Sequence, residues 1–129
     1  MVAVAVQDVP SPIDFADIAQ AHAWVVDTVT RRPWRPHFFF EAFAAALRTH
    51  FHSPIRIAEL CSGPGHLADT ILRRCPVGSY TALDLSPAMH ELAREHLGDL
   101  AAHVRFVVAD FRGPNWAHIL GEVDALVTM

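Results

Sequence analysis

A glycine-containing segment, residues 56 to 67, constrains the fold of this chain more than any other part of its sequence. Its residues are RIAELCSGPGHL, so a short apolar run ends in the carboxylate of Glu59 and two closely spaced glycines follow. Glycine adopts positive φ and has no Cβ, so Gly63 and Gly65 allow a sharp turn and leave bare main chain for a ligand. The segment therefore predicts a strand, a tight turn and a helix that begins at His66.

A second acidic residue strengthens this interpretation. The apolar run that begins at Ser79 ends in Asp84, about 20 residues after the glycine turn, a spacing typical of doubly wound sheets. In such sheets the acid reaches the ribose hydroxyls of a nucleotide-like cofactor. A Gly-x-Gly turn alone is a weak signal, because many ordinary tight turns contain it. The turn and the acid together favour a cofactor site at the carboxyl ends of the strands.

Strands and helices are predicted to alternate after this turn. Ser86 and Pro87 are typical of a helix N-cap and first helical position, and that helix is predicted to end near Leu97. Residues 103–109 are nearly continuous in apolar character, which predicts a buried parallel strand, and residues 124–129 predict a fourth strand. This alternation predicts an α/β fold with a parallel sheet.

The part of the chain before the sheet is predicted to be helical. Apolar residues recur at helical spacing over 13–30 and 38–51, and the basic and aromatic residues 31–37 (RRPWRPH) separate the two helices. This cluster is interpreted either as a contact for phosphate or an acidic substrate or, as we favour, as a solvated linker between prolines. Phe38 and Phe40 fall outside the apolar face and are expected to pack against the sheet or to line a cofactor pocket.

Three motifs resemble those of the class I S-adenosylmethionine-dependent methyltransferases. They are ELCSGPG at 59–65, LDLSPAM at 83–89 and VADF at 108–111. The resemblance covers about Ile55 to Met129 and implies a Rossmann-like open parallel sheet in which the fourth strand lies next to the first. We thus expect an N-terminal arm and helices over 1–54 and an S-adenosylmethionine-binding core over 55–129.

The resemblance also implies a set of residues that bind the cofactor, S-adenosyl-L-methionine. In the family the first motif holds the methionine part, the acid that ends the second strand holds the ribose, and the acid after the third strand holds the adenine amino group. Side chains beside these acids flank the adenine. One departure is Cys61, which stands where the family often has glycine. The implied residues are Glu59, Cys61, Gly63, Gly65, Asp84, Leu85, Met89, Asp110 and Phe111.

The number of strands limits what the resemblance implies. Members of the family usually have more than the four strands predicted here, so we expect a sheet truncated after the fourth strand, with the region that presents the acceptor missing. The bare apolar edge would favour self-association or pairing with a missing C-terminal half. The methyl acceptor and the catalytic residues are not predicted.

Two other functions remain open from the sequence. The chain is interpreted alternatively as a non-catalytic cofactor-binding fragment or partner subunit. A nicotinamide-dependent Rossmann protein is less favoured: residues 63–68, GPGHLA, also fit Gly-x-Gly-x-x-Ala. Glu59 argues against that cofactor, because a charged side chain just before the turn is unfavourable where pyrophosphate must sit.

Composition narrows the remaining classes. The formal charge of −4 over 129 residues argues against general affinity for nucleic acid. The absence of lysine excludes Schiff-base and phosphate-loop lysine chemistry. Nine histidines show no metal-ligand spacing, so no metal site is predicted.

The same composition bears on the compartment. No apolar run approaches the ~20 residues that a membrane-spanning helix needs. Met1 to Val6 is apolar but lacks the features of a secretory signal. We therefore expect a cytoplasmic protein in which Cys61 and Cys75 are free thiols.

Overall fold

The computed structural model describes residues 10–129, so most of the predicted N-terminal arm lies outside the described residues. Four parallel strands form one sheet in the order β3-β2-β1-β4. The predicted α/β, Rossmann-like open sheet and the placement of the fourth strand beside the first are thus confirmed. The strands are β1 (Ile55–Leu60), β2 (Val77–Asp84), β3 (Val104–Val108) and β4 (Ala125–Thr128).

Two helices precede the sheet and three lie between its strands. A π-helical turn, Pro36–Phe40, leads directly into the second helix, and a 3-10 helix, Gly98–His103, joins the fourth helix to β3. Within residues 10–129, no helix combines the length and the apolar character that crossing a membrane requires. The helices are α1 (Ile18–Arg31), α2 (Glu41–His50), α3 (His66–Arg74), α4 (Pro87–Leu97) and α5 (Trp116–Leu120).

The main hydrophobic core lies between one face of the sheet and the helices α2 and α3. Ile57 of β1 and Tyr80 of β2 are paired across the sheet and almost completely buried. They belong to one cluster with Ile71 of α3 and Leu47 of α2. Because period-2 strands send alternate side chains to this face, the core fixes the register that brings the strand ends together.

A second, smaller cluster attaches α1 to α4. Ala21 of α1 is fully buried and shares this cluster with Met89 and Leu92 of α4. Phe15 and Trp24 pack against the cluster and against each other, with ring centroids 5.5 Å apart. These contacts hold α1 beside the carboxyl edge of the sheet.

Several boundaries differ from the sequence prediction. The first helix begins at Ile18 and not at residue 13, because Asp17 is its N-cap and accepts a hydrogen bond from the Gln20 amide at 3.0 Å. β2 begins at Val77, two residues before the apolar run predicted from Ser79, because Ile55 already pairs with Val77 there.

The third strand is less buried than predicted. Val108, at its end, is 53% exposed, and Arg105 in the same strand is also exposed. Among residues 10–129, β3 is paired only with β2 and is an edge strand of the sheet. Its apolar run therefore did not indicate burial on both faces, a property of inner strands.

Candidate functional site

The acidic residues of the three motifs lie together at the carboxyl ends of the strands, which form one edge of the sheet. Glu59 is the next-to-last residue of β1, Asp84 is the last of β2, and Asp110 follows β3 by two residues. The parallel register aligns these ends, since Glu59 pairs with Ala82 and Asp84 pairs with Val108. Open α/β sheets bind their ligands at this edge, so these residues outline the candidate site.

Glu59 is a buried carboxyl group. It is 3% exposed, and the Tyr80 hydroxyl donates a hydrogen bond of 2.7 Å to its Oε2. The pKa of Glu59 is raised to about 8: burial is the main cause, the hydrogen bond from Tyr80 opposes it, and the charge of Asp84 adds to it. At neutral pH Glu59 therefore keeps its proton in the empty site, and a cation placed beside it would favour the release of that proton.

Asp84 joins the glycine turn to the start of α4. Its Oδ2 accepts a hydrogen bond from the Gly63 amide at 2.8 Å, and its Oδ1 accepts one from the Ser86 amide at 2.9 Å. The Ser86 hydroxyl in turn accepts from the Met89 amide at 3.0 Å, which confirms the predicted N-cap. Each carboxylate oxygen retains further acceptor capacity, so Asp84 can support the turn and also accept a ligand hydroxyl.

The two glycines of the turn meet different surroundings. Both have positive φ, +56° at Gly63 and +83° at Gly65. A Cβ at Gly63 would meet nothing within 4 Å, whereas one at Gly65 would lie 3.1 Å from the Cβ of Ala93 in α4. Gly63 therefore leaves open main chain for a ligand, and Gly65 allows α3 to begin against α4.

Cys61 takes the backbone conformation of a glycine. Its φ is +54°, the only positive value at a non-glycine residue among residues 10–129. A left-handed conformation strains a side chain with a Cβ, typically by about 1–3 kcal/mol. Cys61 therefore departs from the family's glycine in residue type while keeping the conformation that favours glycine. Cys61 and Cys75 are both free thiols, as predicted.

Asp110 and Phe111 extend the edge beyond β3. The Arg112 guanidinium bonds the Asp110 carboxylate, with Nη2 at 2.6 Å from Oδ2, and lowers the pKa of Asp110 to about 2. Phe111 is half-buried and its ring packs edge-to-face on Trp116, with centroids 5.5 Å apart. Asp110 is thus an acceptor that is ionised at neutral pH, next to the Phe111 ring that packs on Trp116.

Leu85 and Met89 lie in opposite environments. Leu85 follows β2 and is 58% exposed beside the site. Met89 is 3% exposed and packs in the cluster between α1 and α4. The Met89 side chain therefore supports the first turn of α4 from within the protein.

A cavity of about 90 Å³ separates the glycine turn from the N-terminal helices. Ser62 Oγ is buried beside it and has no hydrogen-bond partner among residues 10–129. Phe40 both belongs to the core and lines the cavity, so its two predicted roles coincide. The sequence did not predict Thr28, Ser62 or His66 in this lining. Only His66 could have been predicted from the sequence, because it is the first helical residue after the glycine turn. The lining includes Trp24, Thr28, Arg35, Phe40, Glu59, Cys61, Ser62, Gly63 and His66.

His66 is uncharged in this site. Burial lowers its pKa to about 4, and the neighbouring His96 and Arg35 add to the effect. Its ring lies edge-on to that of His96, with centroids 4.3 Å apart. The wall of the cavity therefore contains a neutral imidazole beside the Arg35 guanidinium.

A second space lies beside Asp84. It has a volume of about 340 Å³ and lies between the segment 11–16 and the residues 84–86. The Ser86 hydroxyl donates a hydrogen bond to the Phe15 carbonyl oxygen and joins the two walls. The candidate site thus continues from the small cavity along the edge of the sheet.

Comparison with known proteins gives one family and several relatives. A family model described as a methyltransferase domain matches residues 57–129. The malonyl-[acyl-carrier protein] O-methyltransferase 1 of Ilyobacter polytropus is 41% identical over 59 residues, which are 46% of this chain and 22% of that protein.

Two solved structures share the fold. A candidate S-adenosyl-L-methionine-dependent methyltransferase from Methanococcus maripaludis matches 95% of this chain and 53% of its own, with a TM-score of 0.65 and 22% identity. The plantazolicin methyltransferase BpumL, in complex with SAH, matches 88% of this chain and 42% of its own, with a TM-score of 0.67 and 18% identity. The chain therefore spans about half the length of these two proteins and a smaller share of the curated relative.

Proposed function

This chain belongs to the methyltransferase domain family, and we propose that it is the cofactor-binding portion of an S-adenosyl-L-methionine-dependent methyltransferase. The observation that carries the proposal is the open main chain of Gly63 beside the buried carboxyl of Glu59. A glycine turn without a covering side chain accepts a ligand closely, and an adjacent carboxyl group suits its cationic amino acid part.

The proposed contacts follow the edge of the sheet. Glu59 pairs with the amino group of the methionine part, and Ser62 Oγ supplies a polar partner that the fold leaves unused. Asp84 accepts from the ribose hydroxyls with the lone pairs that Gly63 and Ser86 do not occupy. Asp110 accepts from the adenine amino group, and Leu85 and Phe111 flank the ring. Cys61 and Gly65 shape the turn, and Met89 supports α4 from behind.

The cofactor, when bound, would supply a methyl group on a sulfonium; an acceptor nucleophile would take that methyl group and the neutral thioether would leave. Such a displacement needs no acid or base from the strand-end carboxylates, and the protein contributes chiefly by positioning. The burial of Glu59 and the half-burial of Gly63 keep bulk water from part of the site. We place the protein in the cytoplasm. A non-catalytic cofactor-binding fragment or partner subunit is the alternative to this function.

Calorimetric titration tests this function. S-adenosylhomocysteine should bind the chain with a stoichiometry of one, and NAD should not bind, because its pyrophosphate, unlike an ammonium group, gains no ion pair with Glu59. Gly63→Val should abolish the binding of S-adenosylhomocysteine, since its side chain fills the open space above the turn. Gly121→Val is the matched control: Gly121 also has positive φ and no neighbour within 4 Å but lies outside the site.

Either of two results would reject the proposal. One is the absence of S-adenosylhomocysteine binding to the folded wild-type chain. The other is equal affinity of the Gly63→Val and wild-type chains. Tight binding of NAD in place of S-adenosylhomocysteine would instead support the nicotinamide-dependent alternative.

A further inference from the structure

A larger cleft opens beside the small cavity that lies between the glycine turn and the N-terminal helices, here called the cofactor cavity. Its volume is about 500 Å³, within the range of small-molecule pockets. It shares Trp24, Arg35 and Met129 with the lining of the small cavity, so the two spaces adjoin. The residues that line the cleft are Trp24, Arg32, Trp34, Arg35, Phe39 and Met129.

Two arginines of this cleft have no carboxylate partner among residues 10–129. Arg32 makes no ion pair there, and the Arg35 guanidinium lies over the Phe40 ring, 5.8 Å from its centroid. Burial lowers the pKa of Arg35, and the nearby charge of Arg32 lowers it further. Most arginines elsewhere behave differently, because a carboxylate bonds each of Arg31, Arg56, Arg73, Arg74 and Arg112.

The other groups near the cleft do not neutralise this charge. His66, which lies close enough to Arg35 for its pKa to be affected, is neutral at pH 7. Glu59 lines the adjoining cavity, but its carboxyl is bonded to Tyr80 and is protonated at neutral pH. Two positive charges therefore line a partly enclosed space that has no counter-ion from residues 10–129, which favours an anionic ligand.

The walls of the cleft are aromatic, and residues 10–129 leave them partly exposed. Trp34 is 46% exposed and Phe39 is 50% exposed. Trp24 completes the wall from α1. Flat aromatic surfaces of this kind stack against flat ligand rings.

We propose that this cleft binds the methyl acceptor, a small molecule that carries a carboxylate on a flat aromatic body. The carboxylate pairs with Arg32 and Arg35, and the ring lies against Trp34 and Phe39. The nucleophile, a hydroxyl or amine at the far end of the ring, then points into the adjoining cofactor cavity. This inference rests on the proposed cofactor-binding function and assigns a substrate class to the same site.

The transfer that follows is balanced without another reactant. The acceptor oxygen or nitrogen forms a bond to the methyl carbon, and the bond between that carbon and sulfur breaks with its electron pair going to sulfur. The sulfonium becomes a neutral thioether, and the acceptor releases its proton to solvent. The arginines take no part in the bond changes and hold the ring in position.

A pair of matched probes tests the charge requirement. The folded chain is titrated with 4-hydroxybenzoate and with 4-hydroxybenzamide, each with and without saturating S-adenosylhomocysteine. We expect the carboxylate to bind at least about tenfold more tightly than the amide and to weaken as sodium chloride is raised. Equal affinity for the two probes, or no binding of either, would overturn the proposal.

Single charge removals localise the effect. Arg32→Gln and Arg35→Gln should each reduce the affinity for 4-hydroxybenzoate at least about fivefold and leave that for 4-hydroxybenzamide unchanged. Arg31→Gln is the matched control, because Arg31 is the neighbouring arginine of α1, is paired with Asp27 at 2.8 Å and does not line the cleft. If Arg31→Gln lost as much affinity for 4-hydroxybenzoate, the effect would come from the net charge of the protein, and the site would be rejected.

The same samples separate the two proposals. Binding of S-adenosylhomocysteine without selectivity for the carboxylate probe rejects the acceptor cleft and leaves the cofactor site standing. Carboxylate selectivity that depends on Arg32, in a chain that fails to bind S-adenosylhomocysteine, supports the anion cleft and rejects the cofactor proposal. Arg32 is exposed, so its variant remains informative even where Arg35→Gln disturbs the packing of Phe40.

Discussion

At the scale of single residues, the site depends on two carboxyl groups in different states. Glu59 is buried, bonded to Tyr80 and protonated at neutral pH. Asp84 is half-buried and accepts hydrogen bonds from two backbone amides. Glu59 can lose its proton and become negatively charged when a cation binds beside it. Asp84 is a structural hydrogen-bond acceptor with capacity left for a ligand.

The stability of the empty chain should depend on pH through Glu59. Its pKa rises from an ordinary 4.5 to about 8 on folding, so between these values the folded state holds a proton that the unfolded state lacks. The free energy of unfolding contributed by this group is complete below pH 4.5 and is lost as pH rises through 8, by at most about 1.4 kcal/mol per pH unit.

Glu59→Gln tests this dependence. Its amide oxygen can still accept from Tyr80, but the side chain does not titrate, so the variant should lose less stability across the same pH window. Urea unfolding of both chains at several pH values between 4.5 and 8 measures the difference. Parallel profiles for the two chains would show that Glu59 does not carry the effect.

Asp84→Ala should lower both the stability of the protein without cofactor and its affinity for the cofactor. The Gly63 and Ser86 amides lose their acceptor, so we expect the free energy of unfolding to fall by about 1–3 kcal/mol without cofactor. The affinity for S-adenosylhomocysteine should fall by about 1.5–3 kcal/mol. Unchanged affinity in calorimetry would remove Asp84 from the binding site.

Asp110→Ala is the matched control for the stability of the empty chain. The Asp110 carboxylate is exposed and bonds Arg112, two residues away. Exposed pairs of this kind contribute little, about 0–1 kcal/mol. A fall in stability as large as that of Asp84→Ala would show that the bonds from Asp84 to the turn are not the cause.

At the scale of elements, the packing of α3 against α4 depends on a missing side chain. The N-cap of α3 is Gly65, whose Cα approaches Ala93 in the middle of α4. The adjacent Gly63 has similar φ but faces open space. One turn therefore serves two purposes, with one glycine for helix packing and the other at the surface of the candidate site.

Gly65→Ala should be more destabilising than Gly63→Ala. Both substitutions place a Cβ on a residue with positive φ, which costs about 1 kcal/mol or more. Only Gly65→Ala adds a Cβ 3.1 Å from the Cβ of Ala93, so the packing of α3 against α4 must give way by a few tenths of an ångström. Thermal unfolding of the two variants measures the difference, and equal melting temperatures would mean that the helices are free to move apart.

At the scale of the whole molecule, the sheet order leaves β4 with one paired edge. β4 is bonded to β1, and no strand lies beyond it among residues 10–129. Leu126 of β4 is 51% exposed. An apolar edge with unpaired amides and carbonyls can pair with another chain.

The isolated chain of 129 residues should therefore associate with a second copy through β4. Leu126→Lys should weaken this association, because a charged side chain on an edge strand opposes pairing. Ile119→Lys, an exposed apolar position in α5, is the control and should leave the association unchanged. Sedimentation velocity over a range of concentrations gives the outcome, and a concentration-independent wild-type monomer would contradict this expectation.

Local sequence determined much of this protein. The strand and glycine turn around Gly63, the N-cap at Ser86 and the helix after it depend on residues only a few positions apart, and the structure has them where the sequence predicts them. The resemblance added the strand order and placed Asp84 and Asp110 at one edge. The strand, the turn, the N-cap and the helix were predictable because short-range backbone preferences and hydrophobic periodicity fix them.

Tertiary structure decided what the sequence pattern left open. Glu59 and Tyr80 are 21 residues apart, and only the pairing of β1 with β2 brings the hydroxyl to the carboxyl and buries both. The linker arginines Arg32 and Arg35 were predicted to be a solvated face; Arg32 is exposed and Arg35 is half-buried, and the tertiary structure places both in the lining of one cleft. Burial and the absence of a counter-ion depend on every element around a side chain, so no local pattern carries them.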